Sequence, residues 1–131
     1  MKDNNISIKT LKELSLFSKL NDKELEEILN NFSLKNYSMG EPIFFEDSSP
    51  NYFYLLFEGE VRQIIDSPTD KKSISLGIYK KGYLVGWPSY LSGFPLELIT
   101  AATDCKLLKI DKDKWLSLLE KYPQINEGLK V

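Results

Sequence analysis

Apolar residues recur at helical spacing near both ends of this chain and at strand spacing between them. Leu25, Ile28, Leu29 and Phe32 fall on one face of a 3.6-residue repeat. Asn21 stands ahead of that repeat with Glu24 three positions on, the spacing of a capping box, and Leu20 against Leu25 makes a hydrophobic staple. Upstream, Leu11, Leu14, Leu16, Phe17 and Leu20 predict a short helix and a turn docked on the same core, so Leu11 to Phe32 is expected to be helical. From Leu34 to Ile110 the pattern changes to short strands. Tyr52-Phe53-Tyr54-Leu55-Leu56-Phe57 has the length of a buried strand, Val61 to Ile65 and Ser73 to Tyr79 follow, and Leu98 to Ala102 and Lys106 to Ile110 close the series. Turn chemistry separates them: Gly40, the Asp47-Ser48-Ser49-Pro50-Asn51 cluster, Glu58-Gly59-Glu60, the polar Asp66 to Lys72 loop and Lys80-Lys81-Gly82. Helical spacing returns at Trp115, Leu118, Leu119 and Tyr122, with Asp111 or Asp113 as the cap and Pro123 as the stop.

Several short strands at regular spacing between two helical ends predict a mainly β fold with flanking helices, a jelly roll or sandwich. The expected layout is one domain over residues 1–131, with a helical leader at 8–33, the jelly roll at 34–110 and a C-terminal helix at 111–123. No repeat, low-complexity tract or linker interrupts it.

Composition narrows what such a domain can do. At 131 residues with 42% hydrophobic content it buries a real core. A net charge of −2 with scattered lysines offers no basic face, so direct nucleic-acid binding is not expected. No apolar run approaches the roughly 18 residues of a membrane span. The N-terminus lacks the charged-then-apolar layout of a secretory signal, and the single cysteine, Cys105, forms no internal disulfide, so a reducing, cytoplasmic location is expected. There is no histidine, which removes histidine-assisted nucleophiles and histidine metal sites. Arg62 is the only arginine, leaving one donor for a bidentate anion clamp. The acid pairs Glu58/Glu60 and Glu26/Glu27 lie on a turn and a helix face, where solvated carboxylates are the ordinary finding; an enzyme is not expected, and neither a metal nor an obligatory cofactor is.

The stretch from Lys81 to Leu98 stands apart. Gly86 permits a sharp turn, Pro88 suits the first position of a short helix, and Gly93 suits the residue past its end. A helix start behind a glycine turn presents N–H groups to an anion. Yet from Gly82 to Asp104 there is no lysine or arginine, and the acid in position to face such a ligand is Glu97. The candidate pocket is Gly86, Trp87, Pro88, Ser89, Tyr90, Leu91, Leu96, Glu97 and Leu98.

Four segments in order resemble one family. Leu14 to Leu20 is similar to an "LFxxL" leader, Gly40-Glu41-Pro42-Ile43-Phe44-Phe45-Glu46-Asp47 to "G-x-x-I-F-x-x-G/D", Phe53 to Val61 to "x-Y-x-I-x-x-G-x-V", and Lys81 to Gly86 to "x-G-x-x-x-G". Together, over roughly Leu11 to Ile125, they resemble the cyclic nucleotide-binding domains of catabolite activators, cyclic-nucleotide-gated channels and kinase regulatory subunits. The resemblance implies an eight-stranded jelly roll (a double-stranded β-helix) with flanking helices. It also implies a phosphate-binding cassette reading "G-E-L/M-x-x-L" and then "R-S/T-A", whose glutamate holds the ribose and whose arginine holds the cyclic phosphate. Here Gly86 keeps the glycine, Trp87 stands at the glutamate position, and Pro95-Leu96-Glu97-Leu98 occupies the arginine stretch without a basic residue. Losing a buried charge-assisted clamp costs about 3 kcal/mol or more, which is about a hundredfold in affinity.

The resemblance therefore implies a regulatory or sensor module with a degenerate pocket that does not bind cyclic AMP or GMP tightly. Trp87 is expected to fill the vacated space, since an aromatic beside Pro88 and Tyr90 buries large apolar area without a ligand. The alternative is a genuine receptor for a cyclic nucleotide or other small ligand through a modified cassette. Trp87 then stacks on the base, N–H groups of Ser89 and Tyr90 take the anion, and Arg62 reaches in from the neighbouring strand. In either case an effector domain of the same polypeptide, beyond Val131, or a partner protein is expected to carry the output.

Overall fold

A computed structural model of the chain describes residues 8–44, 50–66, 73–94 and 98–129. The helical leader comprises α1 (Ile8–Lys12), a single 3-10 turn (Ser15–Phe17) and α2 (Asp22–Leu29). The capping box forms as the sequence requires: Asn21 Oδ1 accepts the Glu24 N–H at 2.9 Å and Glu24 Oε1 accepts the Asn21 N–H at 2.9 Å. Leu25 and Ile28 are fully buried and Phe32 nearly so.

Among the described residues eight strands follow: β1 (Ser33–Tyr37), β2 (Pro42–Phe44), β3 (Tyr52–Glu58), β4 (Val61–Asp66), β5 (Ser73–Tyr79), β6 (Leu84–Val85), β7 (Ile99–Ala101) and β8 (Cys105–Asp111). They form two antiparallel four-stranded sheets, in the orders β1-β8-β3-β6 and β2-β7-β4-β5. This is the jelly-roll layout expected from the strand spacing. The described residues hold three further helices: α3 (Trp87–Ser92) between β6 and β7, then α4 (Lys112–Lys121) and α5 (Ile125–Leu129).

The central strands of the first sheet, β3 and β8, bury side chains on both faces. On β3, Phe53 and Leu55 pack with the helices, whereas Leu56 packs into the space between the sheets. The helix-side core gathers Leu11, Phe17, Leu25, Phe32, Leu108 and Trp115 among others; the inter-sheet core gathers Ile43, Phe44, Val61, Val85, Ile99 and Leu107. The unbroken apolar run on β3 thus serves two cores rather than one. The tight β3–β4 turn rests on Gly59, whose φ of +92° suits glycine and where a Cβ would lie 2.4 Å from the Asp104 carbonyl.

Of the two residues that could cap α4, Asp111 does so: its carboxylate accepts the N–H groups of Asp113 at 2.9 Å and Lys114 at 3.3 Å. The chain also does not end structurally at Pro123, because α5 turns back onto the 3-10 turn with Ile125 fully buried. Five residues with one glycine carry too weak a periodic signal to predict a helix. Its docking depends on Gly128, which lies directly over Leu16. The turn residues Asp47, Ser48 and Ser49 and the loop residues 67–72 lie outside the described residues.

An exposed clamp ties the leader to α4. Glu27 accepts a hydrogen bond from the Lys121 ammonium at 2.6 Å and another from the Tyr122 hydroxyl. These donors hold the Glu27 carboxyl below its ordinary range, the Lys121 bond contributing most and the Tyr122 bond next. A depressed acid pKa stabilises the fold above the unfolded-state value, and that contribution is lost as pH falls through the folded-state value. The Glu27→Gln variant is expected to melt slightly below the parent at neutral pH. The gap should close as pH drops below about 4.3, the ordinary glutamate value. Melting curves from pH 7 to pH 3 check this; a constant gap across that range contradicts it.

Candidate functional site

The site grows from one glycine. Gly86 caps α3 with φ +95°, and a Cβ there would meet the Phe53 ring at 3.1 Å, the Tyr52 carbonyl at 3.3 Å and the Phe44 ring at 3.4 Å. Glycine is required on both conformational and steric grounds. Gly93 ends the helix at φ +74°, as its position past an expected C-terminus suggested. Pro88 takes the second helical position, not the first, because the helix begins one residue earlier at Trp87.

Trp87 and Tyr90 stack on each other with ring centroids 5.4 Å apart and planes 20° apart. Both meet Phe53 edge-on, at 5.4 Å and 5.6 Å. Trp87 also meets Trp115 of α4 edge-on at 6.5 Å. These contacts place Trp87 and Tyr90 against the helix-side core, on the opposite face of the first sheet from the inter-sheet cluster of Phe44, Val85 and Ile99. The Trp87 ring closes the seam between α3, β3 and α4. The sequence names the aromatic but not its direction, which follows from helix phase: Trp87, at the first helical position, and Tyr90, three residues on, share one face of α3.

The remaining candidates spread out. Ser89 is fully buried, Leu91 is 64% exposed, and Leu98 is half-buried just before β7, its carbonyl accepting the Ile64 N–H at 2.9 Å. Leu96 and Glu97, with Pro95, lie outside the described residues. Two donors assigned to an anion are committed elsewhere. The Tyr90 N–H donates to the Gly86 carbonyl at 3.0 Å, the ordinary helical bond of so short a segment. Arg62 sits between Val61, which faces the inter-sheet core, and Gln63, which accepts the Tyr79 hydroxyl at 2.7 Å. Strand alternation turns Arg62 to the other face, where its guanidinium donates to Ser75 Oγ at 3.1 Å. The modified cassette therefore draws no cation from Arg62.

A cavity of about 200 Å³ opens beside the cassette, walled by Trp87, Pro88, Tyr83 and Leu84 on one side and by Leu16, Gly128 and Leu129 on the other. Sequence reasoning missed its C-terminal wall together with α5. The signal was present in the Gly128-Leu129 pair, a small residue beside an apolar one, but it has no meaning until Leu16 is placed opposite. The walls are mostly apolar, and the site brings α3 into one neighbourhood with α5.

Residues 34–122 match the family model of the cyclic nucleotide-binding domain. Among solved structures, the catabolite activator protein of Thermus thermophilus is 26% identical, with a TM-score of 0.71 over 88% of this chain and 54% of that one. This chain thus spans about half the length of that relative. The sensor domain of the transcriptional regulator DNR from Pseudomonas aeruginosa shares the fold at 20% identity and a TM-score of 0.74, covering 92% of this chain and 81% of its own. So does the regulatory subunit of a cAMP-independent protein kinase A from Trypanosoma cruzi bound to guanosine, at 19% identity and a TM-score of 0.75, covering 93% and 43%. No curated protein matches. Among the described residues no helix is long and apolar enough to cross a membrane.

Proposed function

The chain belongs to the cyclic nucleotide-binding domain family, and from that premise we propose that it is a regulatory module whose cassette has exchanged a nucleotide clamp for an aromatic plug. One observation carries the reading: Trp87, at the position where the family's motif has the ribose-binding glutamate, is locked among Phe53, Tyr90 and Trp115. A group so placed supplies no charge to a sugar hydroxyl. Release of its ring would uncover the helix-side core, which is a structural cost no ordinary pocket residue carries.

The supporting geometry lies in the donors. Arg62 faces away and the Tyr90 N–H is spent inside α3, so a cyclic phosphate would meet little compensation for its desolvation. The module works through contacts: Trp87 touches α4 directly, and α5 shares the cavity beside the cassette. The position of α3 is thereby linked to the C-terminal helices, through which an effector in the same polypeptide or a partner protein reads the state of the domain.

Thermal-shift titration tests the proposal. A ligand at a hundred times its Kd adds about 2.7 kcal/mol, equivalent to a rise in Tm of about 8–14 °C for a domain of this size. Cyclic AMP and cyclic GMP at millimolar concentration are expected to leave Tm unchanged; a clear rise with either establishes the receptor reading instead. Guanosine and cyclic dinucleotides extend the panel to ligands of different charge. Trp87→Ala separates the two roles further. A plug predicts a loss of about 1–3 kcal/mol from removing a half-buried aromatic, whereas a stacking platform predicts lost ligand response with little loss of stability.

A further inference from the structure

The antiparallel register at one end of the first sheet brings together side chains that the cassette does not use. Ser33 pairs with Lys109 and Lys35 with Leu107, while Tyr54 pairs with Lys109 and Tyr52 with Asp111. Paired residues share a face, so Lys35 and Lys109 are diagonal neighbours on adjacent strands, with the tyrosines beside them. Lys114 joins them from the first turn of α4. A hollow of about 200 Å³ opens among Lys35, Lys109, Lys114 and Tyr52, floored by Asn31 and Ser33.

The charges around this hollow are unbalanced. The ion pairs among the described residues engage Lys12, Lys19, Lys80 and Lys121, and none of the three lysines here. The one carboxylate on the wall, Asp111, is turned to the α4 backbone, which it caps. The Lys109 ammonium lies 4.1 Å from the centroid of the Tyr52 ring and 5.9 Å from that of Tyr54, which holds its position without cancelling its charge. Like charges at diagonal sheet positions repel, and an anion between them relieves that repulsion.

We infer that this hollow is a binding site for a compact, multiply charged oxyanion, namely the phosphate or polyphosphate group of a small molecule. Three lysines around one small volume exceed what a single carboxylate neutralises and match a group bearing several charges. Lysine binds such groups as a point charge and needs no bidentate geometry. The net charge of −2 and the confinement of these cations to one hollow set the site apart from a nucleic-acid surface.

Pyrophosphate titrated into the whole chain at constant ionic strength, followed by amide NMR, tests the inference. Saturable shifts are expected at Ser33, Lys35, Lys109 and Lys114, with acetate at least tenfold weaker. The double variant Lys35→Ala, Lys109→Ala should bind pyrophosphate at least tenfold more weakly while keeping its melting cooperativity, since Lys35 is exposed and Lys109 only part-buried. Lys23→Ala, on the exposed face of α2 outside the hollow, should bind it as the parent does. Non-saturating shifts over scattered lysines, undiminished affinity in the double variant, or an equal loss in Lys23→Ala each overturn it. So does tighter binding of a glutamate-rich peptide, which would make the hollow a protein-docking surface.

Discussion

Trp115→Ala is expected to lower stability by about 3–5 kcal/mol, the range for deleting a fully buried tryptophan, and to lower Tm by about 10–20 °C. Trp115 has no exposed surface and sits where the leader, α4 and the cassette meet, edge-on to Phe32 at 6.2 Å and to Trp87 at 6.5 Å. The surrounding rings are fixed by their own packing, so the cavity collapses little. Trp115→Phe offers a sharper comparison. The indole Nε1 is buried without a hydrogen-bond acceptor among the described residues, and an unmet buried donor carries a desolvation penalty of about 1–3 kcal/mol. Phenylalanine removes that donor along with part of the ring volume, and the net loss should fall to about 1–2 kcal/mol. Chemical denaturation of the two variants checks both values; equal losses contradict the reading of Nε1 as an unmet donor.

The distance between pattern and structure differs along the chain for physical reasons. Strand and helix placement follow from local chemistry, so the Asn21–Glu24 capping box, the glycine turns and the Trp115 stripe could be placed from residues alone. The cassette helix was legible for the same reason, with Gly86 and Gly93 at its ends. Direction was not. Trp87 and Arg62 both belong to segments whose position in the fold was expected, but the face each presents depends on the first residue of α3 and on the phase of β4. A one-residue change turns the helix position by about 100° and moves the strand position to the opposite face. Long-range complementarity was least accessible. The cavity between Trp87 and Leu129, and the lysine hollow on the first sheet, each join segments far apart in sequence that carry no mutual signal until the sheets are assembled.

Gly128→Ala is expected to release α5 from the body of the domain at a cost of about 2–4 kcal/mol, a figure set by overpacking and bounded by the burial of Ile125 and Leu129 that undocking would forfeit. An added Cβ would lie 2.2 Å from the Leu16 Cα, 2.7 Å from its nitrogen and 2.8 Å from its Cβ. Two of these are backbone atoms of the 3-10 turn, which cannot rotate aside as a side chain would. Helix propensity works in the opposite sense, since alanine favours α5 by about 1 kcal/mol over glycine. A loss of stability therefore reports docking and not helix formation. The consequence reaches the cassette, because Gly128 and Leu129 form one wall of the cavity whose other wall is Trp87 and Pro88. Undocking exposes the half-buried Trp87 to water while Trp115 stays enclosed, so the variant should show red-shifted tryptophan emission below its melting transition and faster amide exchange confined to α5. Unchanged emission with a protected α5 would show that the contact yields without cost, and would remove the structural basis for coupling the cassette to the C-terminal end.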